Sequence, residues 1–201
     1  MSEPILQAAV LAAGASRRLG QSKQLVKYRG ETLLNRALRI AARLSGQPPL
    51  VILGCEAEKL DSTLTQPALV VHNDDWEQGQ GSSIHAAIKA TPAQADALLL
   101  MTVDQWAIPE LQWLSMLGMW RQEPQAPVAA AYAETLGIPA IFPRQRFADL
   151  AALRPQDGAK PLLLDWRDTI MVSMPAAAMD LDTPADLAVL EQQAASGDDI
   201  A

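Results

Sequence analysis

Short apolar runs alternate with stretches of helical spacing along this chain. Ile5 to Leu11 is apolar and stops at Ala12-Ala13-Gly14, the pattern of a buried strand passing into a tight loop. Thr32 stands where it can cap a helix whose apolar positions Leu33, Leu34, Ala37, Leu38, Ile40, Ala41 and Leu44 share one face, closed by Gly46 and two prolines. The unit then repeats. Leu50 to Leu53 reads as a strand, Glu56 to Leu64 as a helix, and Ala68 to Val71 as a strand ending in His72-Asn73-Asp74. Ser82 or Ser83 starts a helix through Ile84, Ala87 and Ile88. Ala97 to Val103 is apolar on both faces, as a central parallel strand requires, and Asp104 follows it directly. Pro109 suits the first turn of a helix carrying Leu111, Leu114, Leu117 and Trp120. Strands near Val128 to Ala131 and Ala140 to Phe142 come next, then helices near Arg144 to Leu153 and Ala159 to Leu164, and a strand near Thr169 to Met174. Thr183-Pro184 opens a last helix, and residues 195–201 read as a frayed tail.

Strands alternating with helices at this spacing predict an α/β fold, a three-layer α/β/α sandwich with a mainly parallel, Rossmann-like sheet. Such sheets bind ligands outside the carboxyl ends of their strands. The loop after Leu11, the His72-Asn73-Asp74 corner and Asp104 should therefore converge on one crevice.

With 201 residues the expectation is a single domain over 1–194. Hydrophobic residues at 49% and charged ones at 19% match an ordinary soluble protein, and no segment approaches the roughly 20 apolar residues of a membrane span. The N-terminus lacks a signal-peptide pattern and Cys55 is the one cysteine, so the expected setting is the cytoplasm. A net charge of -7 argues against a broad nucleic-acid surface. Against that background Pro4 to Gly30 holds no acidic residue while gathering Arg17, Arg18, Lys23, Lys27 and Arg29. A small anionic ligand suits so local a cluster, although Lys27 and Arg29 read as plain surface cations.

Gly14 and Gly20 permit close backbone approach, and Arg18 and Lys23 add full charge, a combination suited to a polyphosphate. Neither the P-loop pattern nor the G-x-G-x-x-G dinucleotide fingerprint occurs after the first strand, which disfavours a nicotinamide oxidoreductase. Small residues at 12 to 14 also suit any tight turn. Ser82 and Ser83 could equally be helix caps, Asp182 could cap the last helix with Thr183, and Trp113, Met116 and Trp120 at helical spacing read as core. Cys55 reads as a packed small hydrophobe, and His85 has no nameable partner.

Leu11 to Lys23, L-A-A-G-A-S-R-R-L-G-Q-S-K, resembles the L-A-A-G-x-S-x-R-[ML]-G-x-x-K signature of the MobA-like nucleotidyltransferases, in particular their molybdenum cofactor cytidylyltransferase branch. Further blocks follow in order: His72-Asn73 with Trp76 and G-Q-G-S-S (Gly79 to Ser83), Asp104-Gln105, G-I-P-A-I-F (Gly137 to Phe142), D-G-A-K (Asp157 to Lys160) and D-L-D-T-P-A-D-L (Asp180 to Leu187). The resemblance implies a fold of the nucleotide-diphospho-sugar transferase type and transfer of CMP from CTP to a phosphorylated molybdopterin-type cofactor, with release of pyrophosphate. It implies that the Leu11, Ala12, Ala13 and Gly14 backbone meets base and phosphates, and that Arg18 and Lys23 hold the triphosphate. Asn73, Gly79, Ser82 and Ser83 would line the nucleoside pocket, and Asp104 would bind Mg²⁺ with Asp180 rather than Asp182 as the second carboxylate. A molybdenum hydroxylase would receive the product. Two hard carboxylates suit Mg²⁺, and an ionised acceptor phosphate needs little activation. Two positions depart from the family pattern: Trp106 stands where proline is usual, and Ile138 where G-H-P is frequent. Another phosphorylated acceptor, such as a sugar phosphate, and a non-catalytic cofactor carrier or insertion chaperone stay open as alternatives.

Overall fold

The computed structural model describes residues 3–196. In chain order the elements are β1 (Leu6–Leu11), the short strands β2 (Lys27–Tyr28) and β3 (Glu31–Thr32), α1 (Leu33–Ser45), β4 (Leu50–Leu53), α2 (Ala57–Asp61), β5 (Leu69–His72), α3 (Gln80–Ala90), β6 (Ala97–Thr102), α4 (Glu110–Gln122), β7 (Val128–Tyr132), β8 (Thr135–Pro143), α5 (Phe147–Ala151), α6 (Lys160–Asp165), β9 (Ile170–Ser173) and α7 (Pro184–Ser196). Seven strands form one sheet in the order β5-β4-β1-β6-β8-β7-β9, parallel except for β8, which runs against both its neighbours. The expected mainly parallel α/β architecture is present.

Alternation along each strand sends side chains to two cores. Ala8, Val10, Leu99 and Met101 face one layer with Leu34, Leu38, Trp113, Met116 and Trp120, while Ala9, Leu11, Leu98 and Leu100 face the other with Ile84, Phe147 and Leu163. Complete burial of such a leucine or isoleucine contributes about 1.5–3 kcal/mol, so the central strands β1 and β6 anchor the fold. Both end at the same sheet edge, in register from Leu6 with Ala97 to Leu11 with Thr102. That register delivers the loop after Leu11 and Asp104 side by side.

Thr32 caps α1 as its sequence predicts, its hydroxyl accepting the Asn35 N–H (3.3 Å), and Gly46 ends it in the left-handed conformation. Other boundaries move. The helix expected over Glu56 to Leu64 stops at Asp61, because the Thr63 hydroxyl donates back to Leu60 O (2.7 Å) and the Asn35 amide ties down Thr63 O (3.0 Å) and Thr65 N–H (2.8 Å). Helix α3 begins at Gln80 after Gly79, so neither Ser82 nor Ser83 is its cap. Pro109 immediately precedes α4, and Arg144 to Leu153 divides into a 3-10 turn and the short α5. Strand β8 starts at Thr135, five residues before its expected start, since pairing with β7 outweighs the Gly137 and Pro139 punctuation. The last helix keeps Ala195 and Ser196, which were expected in the tail; residues 197–201 lie outside the described residues. No helix among the described residues is long and apolar enough to cross a membrane.

Candidate active site

The opening loop stays joined to the sheet after β1 ends: Ala12 N–H donates to Ile52 O (2.9 Å), and Ala13 O accepts Cys55 N–H (3.0 Å). Gln24 then gathers it. Its buried amide donates to the carbonyls of Ala12 (2.8 Å) and Gly14 (2.9 Å), and its Oε1 accepts the Ser22 hydroxyl (3.0 Å). The Ser16 hydroxyl accepts the Lys23 N–H (3.2 Å). Positive φ values at Ser16 (52°) and Gly20 (77°) turn the chain back on itself, a conformation uncommon for serine and easy for glycine. Gln24 was absent from the expected site. Its only signal in the sequence is an amide beside Lys23 inside a basic segment.

The acid-free window meets its counter-charges from remote parts of the chain. Lys23 Nζ lies 2.6 Å from Asp104 Oδ2 and 3.1 Å from Asp182 Oδ1, with its side chain only 14% exposed. Burial alone would weaken the ammonium, but attraction and hydrogen bonding from Asp104 and then Asp182 outweigh it and hold Lys23 above its ordinary 10.5. Lys23 is therefore a permanent, positioned cation. Arg18 also pairs with Asp182 (2.7 Å), while Arg17 reaches Glu77 only at 3.5 Å, both side chains well exposed. Arg29 stacks on the Tyr28 ring (5.2 Å).

Leu11, Ala12, Ala13, Gly14, Lys23, Gly79, Ser83 and Asp104 line one crevice of about 360 Å³. Trp76 and Gln80 line it too, unforeseen as site residues; a side chain at Gly54 would strike Trp76 Cβ (2.5 Å), so the indole seats on a glycine. The expected convergence holds for the loop and Asp104. It does not hold for the His72-Asn73-Asp74 corner, which lines a neighbouring depression with Ser82 and His85. Asn73 acts from behind: its buried amide donates to the hydroxyls of Ser82 (2.9 Å) and Ser83 (3.0 Å), and Ser83 faces the crevice. Arg18 lies outside the lining of that crevice.

A second cavity of about 230 Å³ opens on the other side of Asp104, sharing Gln80, Thr102 and Asp104 with the first and adding Gln105, Tyr132, Gly137, Ile138, Lys160 and Asp180. The buried Gln105 amide donates to Ile138 O (2.6 Å) and Ala177 O (3.3 Å), and the Tyr132 hydroxyl donates to the same Ile138 carbonyl (3.2 Å). A Cβ at Gly137 would strike that hydroxyl. Ile138 itself is buried, and so is Trp106, whose ring packs on Tyr28 (5.1 Å) beneath the β2–β3 ribbon. Trp106 thus points its side chain into packing, whereas Ile138, although buried, also lines the second cavity.

Asp182 does not cap α7. Thr183 and Asp186 do that, Asp186 accepting from Asp182 N–H, Thr183 N–H and the Thr183 hydroxyl while Thr183 Oγ1 accepts Asp186 N–H (3.3 Å). Asp182 is left for the cations, and Asp180 for the second cavity. Burial pushes Asp180 up to about 7, with the charges of Asp104 and Asp182 adding to it against Lys23. Asp104 and Asp180 face one cavity with oxygen donors and no thiolate or imidazole beside them, and their mutual repulsion is what a hard divalent cation relieves. The chemistry of the pair fits such an ion. Among the described residues no group of three or more His, Cys, Asp or Glu forms a metal cluster.

Residues 8–170 match the MobA-like NTP transferase domain. The chain belongs to that family. It is 34% identical over 116 residues to a protein named probable molybdenum cofactor guanylyltransferase from Synechococcus elongatus, covering 58% of this chain and 57% of that one. It is 34% identical over 104 residues to nicotine blue oxidoreductase from Paenarthrobacter nicotinovorans, covering 51% of this chain and 50% of that one. The chain thus spans about half the length of these curated relatives. The crystal structure of Rv0371c from Mycobacterium tuberculosis has a TM-score of 0.81 at 28% identity, covering 96% of this chain and 100% of that one. A manganese complex of Rv0371c gives 0.76 at 25% identity, covering 94% and 98%.

Proposed function

We propose that this protein is a nucleotidyltransferase that moves CMP from CTP to a phosphorylated molybdopterin-type cofactor and releases pyrophosphate. The observation that carries the reading is Lys23, locked between Asp104 and Asp182 where the glycine loop meets the end of β6. Family membership and the name of the Synechococcus relative support nucleotidyl transfer and the cofactor class. The choice of CTP rests on the L-A-A-G and G-Q-G-S-S segments. The proposal includes a cytoplasmic setting and a molybdenum hydroxylase as recipient.

In the reaction an oxygen of the acceptor phosphate bonds to the α-phosphorus, the bond from that phosphorus to the β-phosphate oxygen breaks, and its electron pair leaves with pyrophosphate. Negative charge grows on the transferring and leaving groups, so fixed positive charge does the catalytic work. Lys23 offers it without reorganisation, its orientation set by two carboxylates. The loop held by Gln24 presents its backbone to the phosphates. Ser83, oriented by Asn73, faces the nucleoside. No base is required, which agrees with His72 and His85 both lying in the neighbouring depression. Asp104 and Asp180 would hold Mg²⁺, which when bound supplies further neutralisation of phosphate charge.

The test is pyrophosphate release with each of the four NTPs, with Mg²⁺ and a molybdopterin-type acceptor. CTP is expected to give the fastest release, dependent on both metal and acceptor. A preference for GTP would overturn the base assignment, release with a sugar phosphate alone would overturn the acceptor, and turnover of a nicotinamide cofactor without NTP use would overturn the whole reading.

A further inference from the structure

Helices α1 and α4 have the same length, 13 residues, and pack against each other over the same core, yet their outer faces differ. On α1 that face carries Arg39 and Arg43, as a helix between core and water requires. The sequence of α4, ELQWLSMLGMWRQ, carries charge only at Glu110 and Arg121, near its two ends. Trp113, Met116, Leu117 and Trp120 fill the core, while Leu111 (74% exposed), Leu114 (44%) and Met119 (38%) stand in water on the other side. A helix apolar all round is one that is covered all round, and a contiguous exposed apolar stripe marks a contact surface.

Gly118 lies on the same stripe. Glycine weakens a helix interior, and no contact within the chain demands it here: a Cβ at Gly118 would meet nothing within 4 Å. Gly81 in α3, by contrast, is pressed against the carbonyls of Arg154 and Pro155. Leu111 and Gly118 are seven residues apart, two turns along one line of α4, so the face offers a projection and a hollow that match each other.

An identical helix laid antiparallel, centred between Leu114 and Ser115, seats each Leu111 over the other copy's Gly118 and brings the two Leu114 side chains together. Glu110 and Arg121 share one flank of α4, eleven residues or three turns apart, so the same placement sets each Glu110 beside the other copy's Arg121. The helix dipoles then oppose each other favourably. Within the chain these two ends make only well-exposed pairs, Glu110 with Arg43 (2.8 Å) and Arg121 with Glu3 (3.0 Å), which leave both open to a further partner.

We propose that the outer face of α4 joins two copies of this chain through a two-fold, antiparallel contact, with Leu111 on Gly118 to either side of its centre. Leu111, Leu114, Gly118 and Met119 line neither the crevice nor the second cavity, so this is a surface of assembly and stands whatever reaction the cavities perform. A helix about 20 Å long offers less than a standard interface, which sets the dimer in the range of about 10–100 µM.

Sedimentation equilibrium over a concentration series tests this, read against the monomer mass of 21.6 kDa. Wild type is expected to approach twice that mass above about 100 µM. Leu111→Lys removes the projection and Gly118→Leu fills the hollow, and each should weaken dimerisation by about tenfold or more. Gly118→Leu also improves helix propensity, so it should melt no lower than wild type and lose the dimer without losing the fold. Glu110→Arg and Arg121→Glu should each weaken the dimer by about threefold, and the double variant should recover it, because only a two-fold antiparallel contact pairs those positions across copies. Wild type that stays monomeric throughout the series overturns the proposal and leaves the stripe to a different partner. Dimerisation unchanged in Leu111→Lys and Gly118→Leu, or a charge swap that fails to recover it, overturns it as well.

Discussion

The two sides of Asp104 are built differently. On the β1 side the cations nearest Asp104 are answered within the protein: Lys23 has two carboxylates and Arg18 one, while Gln24 satisfies the carbonyls of its own loop. On the β8 side the charges are left open, with Asp180 crowded by like charge and Lys160 unpaired among the described residues. The first side is preorganised by its own contacts. The second leaves its charges to be balanced from outside, as the proposed metal would do.

The comparison can be broken by mutation, most severely at the residue both sides share. Asp104→Ala should lower kcat by roughly 10³-fold, because it frees Lys23 and, on the proposed reading, takes away a carboxylate that would hold the metal; single-turnover pyrophosphate release measures it, and activity near wild type would show that Asp104 is only a strand-end cap. Lys23→Met should lower kcat/KM for the NTP by roughly 10²-fold through loss of a positioned charge, with little change in acceptor binding. Gln24→Leu should cost about 1–3 kcal/mol in chemical denaturation, since Ala12 O and Gly14 O lose their donor, and should raise KM for the NTP. Asp180→Asn and Asp182→Asn separate the two sides: the first should weaken Mn²⁺ binding measured by titration with CTP present, the second should leave it intact and loosen Arg18 and Lys23. Equal metal affinity in both variants would contradict the division. Arg17→Ala is expected to change kcat/KM by less than about twofold, as its 3.5 Å pair is largely exposed to solvent screening.

How legible each side was follows from the same difference. The β1 side is written in local signals: a continuous apolar run, a glycine turn and a basic segment, all within the first 30 residues. Even so, the partners of Lys23 come from positions 104 and 182, which no local pattern joins. Asp182 looked like a helix cap because Thr183 follows it, but Asp186 reaches back to Thr183 and takes that role. Asn73 and Ser82 carry family motifs and stand behind the crevice wall, where the Asn73 amide donates to Ser82 and Ser83 and so orients Ser83. On the β8 side Gly137 and Pro139 read as turn residues, and only pairing with β7 draws them into a strand. The β2–β3 ribbon, two residues to a strand, is too short to show any period. Lys160 sat in view within D-G-A-K, yet only the fold shows that it shares a cavity with Asp104 and Asp180.

The most direct measurement follows the label from CTP carrying ³²P in its α-phosphate, incubated with the protein, Mg²⁺ and molybdopterin-type cofactor. Label is predicted to move into the cofactor, one pyrophosphate appearing per transfer, and Asp104→Ala should abolish the movement. Label that stays in the nucleotide, or is freed only as CMP, would contradict nucleotidyl transfer by this protein.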